Sequence, residues 1–260
     1  MKHIVLYSGG LGSYYTTKRL LKKGIQKNDI VLLFTDTKIE DEDLYRFLNE
    51  TTEKLGIPLT NYSDGRDIWQ VFKDVKFLGN SRLDPCSRVL KREMSRNYIK
   101  ENNFKPEDII IYLGYDWTEI HRFEKAKKTW LPYIIDCPLT EKPYMDKEDM
   151  KKEIEEVDGI SLPRLYKMGF QHNNCGGGCV KAGIGHFKLL YNTFPERYTE
   201  WEKNEQMIRE YIGKDVSILR RTRNGVRKNI TLAELRKEFD TFTEAENCDI
   251  GGCGCFEERE

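Results

Sequence analysis

The feature that most constrains this chain is its start. An apolar run, Ile4-Val5-Leu6-Tyr7, turns directly into Ser8-Gly9-Gly10-Leu11-Gly12-Ser13 and then into a helical pattern. A buried strand feeding a helix through consecutive glycines is the layout of a phosphate-binding loop. Glycine reaches positive φ at no steric cost and lets an anion approach the backbone, while the free N–H groups of the following helix carry partial positive charge. Ser8 and Ser13 add hydroxyl donors. A Gly-Gly turn after a strand can also serve packing alone, so later segments have to decide between the two uses.

Those segments alternate. Strand patterns occur at 4–7, 30–34, 59–62, 109–113 and 133–135, with helical patterns at 13–23, 41–55, 67–75 and 88–101. Strands separated by helices predict an α/β fold: a doubly wound, mostly parallel five-stranded sheet with helices on both faces and ligands at the carboxyl ends of the strands. After Pro143 the character changes to charged helices (146–157, 181–191, 195–212), a hairpin turning at Asn224-Gly225, and a capping box at Thr231-x-x-Glu234. The expected division is a nucleotide-binding α/β domain over 1–145 and a mainly helical accessory region over 146–260, with a cysteine-rich metal site.

With 43 basic and 43 acidic side chains, no global field drives the chain onto nucleic acid or anionic lipid. No apolar run approaches the roughly 20 residues that cross a bilayer, and no secretory pattern opens the sequence. The expectation is a cytoplasmic protein with no membrane partner. Seven cysteines, clustered toward the C-terminal half, then point to metal or redox chemistry more than to disulfides.

The remaining strand ends carry candidate chemistry. Asp36 ends the second strand and can accept hydrogen bonds from a nucleotide; the acidic run Glu40-Asp41-Glu42-Asp43 reads as a favourable helix start. Cys86 lies at a predicted helix start with Arg88, Lys91 and Arg92 nearby, surroundings that favour a thiolate and could hold a polyphosphate. The fourth strand ends in Gly114-Tyr115-Asp116-Trp117-Thr118-Glu119, whose carboxylates suit Mg²⁺, although Glu119 could equally pair with Arg122. Cys175-Gly176-Gly177-Gly178-Cys179 leaves the backbone free to wrap an ion, with the second cysteine expected to open a helix. Two thiols cannot fill a tetrahedral site, so Cys248, Cys253, Cys255 or Cys86 would have to join. Zinc and a [4Fe–4S] cluster both suit all-thiolate ligation. From Lys214 to Lys228, six basic residues face one acid, a patch that could grip tRNA or DNA or guard a sheet edge.

The Ser8 loop resembles the S-G-G-x-D-S loop of the PP-loop ATP pyrophosphatases, with Gly12 where that family has aspartate. The Cys86 segment and the cysteine-rich tail resemble the phosphoadenosine phosphosulfate reductase-like branch of that superfamily, in which a cysteine near this position can ligate an iron–sulfur cluster and a C-terminal cysteine can be the nucleophile. Gly114, Asp116 and Glu119 look like a variant of its G-H-x-x-D-D-like motif. The resemblance implies ATP bound by Ser8, Gly9, Gly10, Gly12, Ser13, Asp36, Arg88, Gly114 and Glu119 with Mg²⁺, and catalysis by Cys86, Lys91 and Asp116. It implies adenylylation with pyrophosphate release, in the service of sulfur transfer to a nucleic acid, with a sulfur-donor protein as possible partner. Two alternatives stay open: thiol- or cluster-dependent reduction of a sulfonucleotide, and a non-catalytic nucleotide-sensing or nucleic-acid-binding module with a structural zinc. On that last reading, restoring the aspartate at Gly12 would restore hydrolysis.

Overall fold

The apolar strand runs alternate between two helical layers, which fixes the sheet from inside. The computed structural model describes residues 1–223, 225–252 and 255–256. In chain order, the first half is β1 (Lys2–Leu6), α1 (Leu11–Lys22), β2 (Ile30–Phe34), α2 (Glu42–Leu55), β3 (Leu59–Asn61), α3 (Ile68–Asp74), α4 (Pro85–Ser87), α5 (Met94–Glu101), β4 (Ile109–Tyr112), α6 (Ile120–Thr129) and β5 (Ile134–Asp136). All four strand pairs are parallel and the order is β3-β2-β1-β4-β5. Within β1, Val5 packs against α1 and α2, while Ile4 and Leu6 face Ile99 of α5 and Ala126 of α6. This is the period-two alternation of a strand covered on both faces.

The order reverses between β1 and β4. A crevice at such a switch point, outside the carboxyl ends of the strands, is where open α/β sheets bind ligands. Local signals fix the helices around it. Asp41 caps α2 by accepting from Asp43 N–H at 3.0 Å, and Gly56 ends that helix in the left-handed region at φ +65°. Pro85 opens α4, and a π-helical segment over Arg88–Glu93 carries the chain on into α5.

The second half contributes α7 (Lys147–Glu156), α8 (Arg164–Lys167), α9 (Ile184–Thr193), α10 (Pro195–Ile212), the antiparallel pair β6 (Leu219–Arg223) and β7 (Val226–Ile230), α11 (Leu232–Arg236) and α12 (Glu244–Asn247). Helix α7 sits on α1: Tyr15 Oη donates to Met150 O at 2.8 Å, and Lys18 pairs with Glu153 and Asp158 at 2.7 Å. A separate apolar core joins α9 and α10 to α3, with the Trp69 and Trp201 rings edge-on at 4.9 Å. The tail returns to the start of α9, where Gly185 N–H donates to Asp249 O at 2.8 Å and Gly252 N–H to Lys181 O at 3.1 Å. Gly183 and Gly185 permit that approach, since a Cβ on either would lie within 2.4 Å of the tail backbone. The helix expected at Lys181 therefore begins at Ile184, and Cys179 does not open it. Among the described residues, no helix is long and apolar enough to cross a membrane.

Candidate functional site

Helix α1 begins at Leu11 with Gly10 as its cap, so the first N–H groups of a twelve-residue helix point out of the sheet at the switch point. Gly9 takes φ +75° to make the turn. Opposite it, β4 delivers Gly114. A Cβ on Gly12 would stand 2.1 Å from Gly114 O, and one on Gly114 would stand 2.6 Å from Gly12 C. Two glycine backbones thus lie in direct contact, bringing the two strand-end loops together. The departure from the family's aspartate at Gly12 follows from this packing: a side chain there would force β4 and α1 apart.

The crevice between these loops holds a cavity of about 480 Å³, within the range of small-molecule sites. Of the residues expected to bind nucleotide or act on it, Ser8, Gly10, Gly12, Ser13, Lys91, Gly114, Asp116 and Glu119 line it. The others are placed elsewhere. Asp36 is buried but spent locally, its carboxylate accepting from Lys38 N–H at 2.9 Å and Tyr45 Oη at 2.9 Å and pairing with Lys38 Nζ at 3.0 Å. Arg88 is half exposed and pairs with Glu93 at 2.7 Å. Cys86 is buried behind the cavity wall, and burial pushes its thiol well above the usual range, with Cys179 and Cys255 close enough to add to the effect. The thiolate expected at Cys86 is therefore disfavoured; the basic residues that follow it face other partners.

The cavity is rich in cations. Lys91, Arg122, Lys147 and Lys151 line it, against Asp116, Glu119 and Glu148. Both candidate magnesium carboxylates already have partners. Asp116 Oδ1 accepts from Thr118 N–H at 2.8 Å and Thr118 Oγ1 at 2.5 Å, and Lys147 Nζ stands 3.8 Å from Asp116 Oδ2 and from Glu119 Oε2. Glu119 also pairs with Arg122, whose guanidinium lies 4.3 Å over the Tyr115 ring.

Sequence reasoning missed the segment that closes the cavity, 169–174. Asn173, 1% exposed, donates through Nδ2 to Gly9 O at 3.1 Å, while its Oδ1 has no hydrogen-bond partner among the described residues. Burial, together with the cations of Lys147 and Arg122, pulls His172 down to about 4, so its imidazole is neutral at physiological pH. Glu40, read from sequence as part of a solvated helix start, has its side chain only 1% exposed. It accepts from Thr37 Oγ1 at 2.9 Å and from Cys175 N–H, and faces Lys91 Nζ at 3.7 Å. Burial raises Glu40 more strongly than these partners lower it. Asp41 is equally buried, between Arg164 at 2.8 Å and Arg197 at 2.9 Å. Besides the local contacts from Thr37 and Asp43, their charged partners Lys91, Arg164 and Arg197 lie more than 50 residues away in sequence, so the acidic run carried no signal of its role.

Behind the 169–174 segment lies a second, smaller void of about 20 Å³, lined by Cys175, Cys179 and Cys255. Cys175 holds φ +53°, a left-handed conformation that is strained for a residue with a side chain. His186 Nε2 lies 2.7 Å from Gly177 O, fixing the glycine turn. Cys179 and burial push the Cys175 thiol up, while Cys175 beside it holds Cys179 down, and Cys179 Sγ accepts from Lys181 N–H at 3.5 Å. Three residues, His172, Asn174 and Cys255, line both voids. Cys255 is 5% exposed, and the end of the tail is seated by Arg92, which donates to Cys255 O at 3.1 Å, and by Trp130 Nε1, which donates to Phe256 O at 3.0 Å.

The metal expectation divides across the molecule. Cys248 is exposed at the end of α12, and Cys253 lies outside the described residues. Cys175, Cys179 and Cys255 share the wall of the small void, and Cys86 lies near Cys179 and Cys255. Among the described residues, no group of three or more His, Cys, Asp or Glu side chains is arranged to hold a metal ion.

The predicted nucleic-acid patch is partly neutralised. Arg221 pairs with Glu238 and Glu246, both at 2.5 Å, and Arg223 with the same acids at 3.2 and 3.1 Å. Lys214, Arg220, Arg227 and Lys228 remain exposed outside that network, and Asn224 of the expected turn lies outside the described residues.

Residues 2–108 match the family model of the phosphoadenosine phosphosulfate reductase domain. A crystal structure of phosphoadenylyl-sulfate (PAPS) reductase from Candida auris, a phosphate complex, is similar at 14% identity, with a TM-score of 0.45, 66% of this chain covered and 80% of that chain. Comparison with curated protein sequences gives no match. The matched segment begins with β1 and the Ser8 loop and ends at the threshold of β4, so over these residues the chain is similar to the phosphoadenosine phosphosulfate reductase domain.

Proposed function

We propose that this chain is an enzyme that binds an adenine nucleotide at the Ser8 loop and exchanges sulfur between that nucleotide and Cys255. The observation that carries the reading is that Cys255 is the one cysteine among the described residues on the wall of the nucleotide-sized cavity. The α1 N-terminus, Ser8, Ser13 and the cations Lys91 and Lys151 suit the nucleotide phosphates. The substrate this favours is a sulfonucleotide. Its phosphosulfate anhydride places an electrophilic sulfur beyond the phosphate, and a thiolate attacking that sulfur expels the nucleotide monophosphate. In that step Cys255 Sγ bonds to the sulfonate sulfur as the S–O bond breaks, and the departing charge falls on a phosphate held by α1. Neutral His172, on the same wall, adds no like charge and no competing cation beside the thiol. This is the reductive branch of the sequence expectation, and the match to a reductase domain supports it.

A second reading keeps ATP, Mg²⁺ and pyrophosphate release, with adenylylation serving thiolation of a nucleic acid. The presence of Asp116 and Glu119 on the cavity wall favours it, since a magnesium ion could take these oxygens in exchange for Lys147. Its loop would act by charge stabilisation of the leaving pyrophosphate. Product analysis separates the two. Incubation with adenylyl sulfate or 3′-phosphoadenylyl sulfate and dithiothreitol is expected to yield sulfite and the free nucleotide. Incubation with ATP, with or without tRNA or DNA, yielding AMP and pyrophosphate would support the second reading instead.

A further inference from the structure

We infer that Cys179 and Cys175 form a built-in dithiol that resolves the intermediate on Cys255, so that the chain supplies both electrons of a turnover itself. The inference rests on the sulfonucleotide reading. Its observations are separate from that reading's: the second void, behind the cavity wall, is faced by Cys175, Cys179 and Cys255 together, and Cys255 alone of the three also faces the nucleotide.

The pair is set up for exchange. Cys175 and Cys179 flank a turn of three glycines on the wall of one void, and Cys175 sits at φ +53°. The turn is locked from outside: a Cβ on Gly178 would lie 2.4 Å from the Trp201 ring, and one on Gly176 would lie 2.8 Å from Ile39 O. Glu40 accepts the Cys175 N–H and faces Lys91, so the same buried pair touches the thiol loop and the nucleotide cavity. Thiol–disulfide exchange requires the attacking sulfur as thiolate and a path to the sulfur attacked. Cys179 Sγ accepts from Lys181 N–H at 3.5 Å and shares the void with Cys255, which makes it the member placed to attack.

The steps balance as follows. After the first displacement, Cys255 carries the sulfonate as an S-sulfonate. The Cys179 thiolate attacks Cys255 Sγ, forming a Cys179–Cys255 disulfide and expelling sulfite. Cys175 then attacks Cys179 Sγ, forming the Cys175–Cys179 disulfide and returning Cys255 as a thiolate. Two thiols lose two electrons to the sulfonate sulfur, which leaves as sulfite, and their protons pass to water. An external dithiol, either a small dithiol protein or dithiothreitol, then reduces the Cys175–Cys179 bond for the next turnover.

The test uses the full chain, reduced and freed of small thiols under anaerobic conditions. In a single turnover with sulfonucleotide and no added reductant, the expected yield is about one sulfite per chain, with a Cys175–Cys179 disulfide found by peptide mapping after alkylation. C179S is expected to stop at the S-sulfonate on Cys255 and to release sulfite only when dithiothreitol is added. C175S is expected to trap the Cys179–Cys255 disulfide. A second measurement needs no substrate: equilibration of the unmodified chain with oxidised glutathione should form the Cys175–Cys179 disulfide within one chain. The inference is overturned if the S-sulfonate persists on Cys255 of the unmodified chain while Cys175 and Cys179 stay alkylatable. It is equally overturned if glutathione caps the two thiols separately, or if they carry a stoichiometric metal as purified. Failure of the parent reading looks different: no sulfonate on Cys255 and no sulfite from any sulfonucleotide, with the glutathione-induced disulfide still formed.

Discussion

Adding a side chain at Gly12 separates the packing account from the missing-aspartate account. The Cβ would stand 2.1 Å from Gly114 O and 3.0 Å from Gly114 C, where ordinary contact begins at 3.4 Å. Relief therefore requires about 1.3 Å of movement, and both partners are backbone, so no side chain can swing away. Alanine would gain up to about 1 kcal/mol from helix propensity in α1. Overpacking of this kind costs about 1–3 kcal/mol, and forcing two strand-end loops apart belongs at the upper end. We expect Gly12→Ala to lose about 2 kcal/mol net and Gly12→Asp about 3, since the carboxylate would also face the Gly114 carbonyl. In a chain of this size that corresponds to a fall in Tm of roughly 4–12 °C. The same displacement would pull the α1 N–H groups off the phosphate, so nucleotide binding should weaken by about tenfold for each 1.4 kcal/mol lost. Differential scanning fluorimetry with and without nucleotide, followed by calorimetric titration, reads both effects. A Gly12→Asp variant with unchanged Tm that splits ATP into AMP and pyrophosphate would refute the reasoning.

Three further outcomes follow from buried polar groups. Glu205, held by Ile218 N–H at 2.9 Å and Leu232 N–H at 2.6 Å, is raised by burial to about 7. A raised carboxyl stabilises fully below its unfolded value of 4.5 and loses that contribution as pH rises through the folded value, so relative to Glu205→Gln the unmodified chain should lose about 3 kcal/mol between pH 4.5 and 7, measured by urea unfolding across pH. Burial pushes Asp41 up, but the hydrogen bonds from Arg164, Asp43 N–H and Arg197 outweigh it and hold the carboxyl below its usual range. Its stabilisation is present above an unfolded value of 3.8 and is lost as pH falls through the lower folded value; at neutral pH Asp41→Ala should cost about 3 kcal/mol, and a chemical melt indistinguishable from the parent would count against the account. Asn173→Ala removes the donor to Gly9 O and should weaken nucleotide binding about tenfold with little loss of Tm, as expected for a clasp between the cavity's closing segment and the phosphate loop.

Much of this architecture is written locally. The apolar runs of β1, β2 and β4, the cap at Asp41, the turn at Gly56 and the Thr231–Glu234 capping box are decided by near neighbours, and they were legible from spacing alone. So was the Ser8 loop, because a strand, two glycines and a helix leave few other arrangements. What could not be read depends on residues meeting across the chain. The Gly12–Gly114 contact joins two strand ends about a hundred positions apart, and it turns an apparent catalytic loss into a packing requirement. Asp36 had the right position on the sheet but was claimed by Lys38 and Tyr45. Glu40 and Asp41 became buried anchors only because the Cys175 loop, Arg164 and Arg197 return to them. Cys255 reached the cavity because the tail runs back along α9, a course fixed by backbone hydrogen bonds at Asp249 and by glycines at 183 and 185 that had no visible reason in the sequence.

The central claim is that nucleotide and thiol meet at Cys255, and mass analysis of that residue tests it most directly. After a brief incubation of the reduced, full-length chain with a sulfonucleotide, acid quenching and peptide mapping should find a sulfonate on Cys255 that is absent without nucleotide, and C255S should release neither sulfite nor the free nucleotide. An unmodified Cys255, together with a C255S chain that still releases sulfite at the parent's rate, would contradict the account.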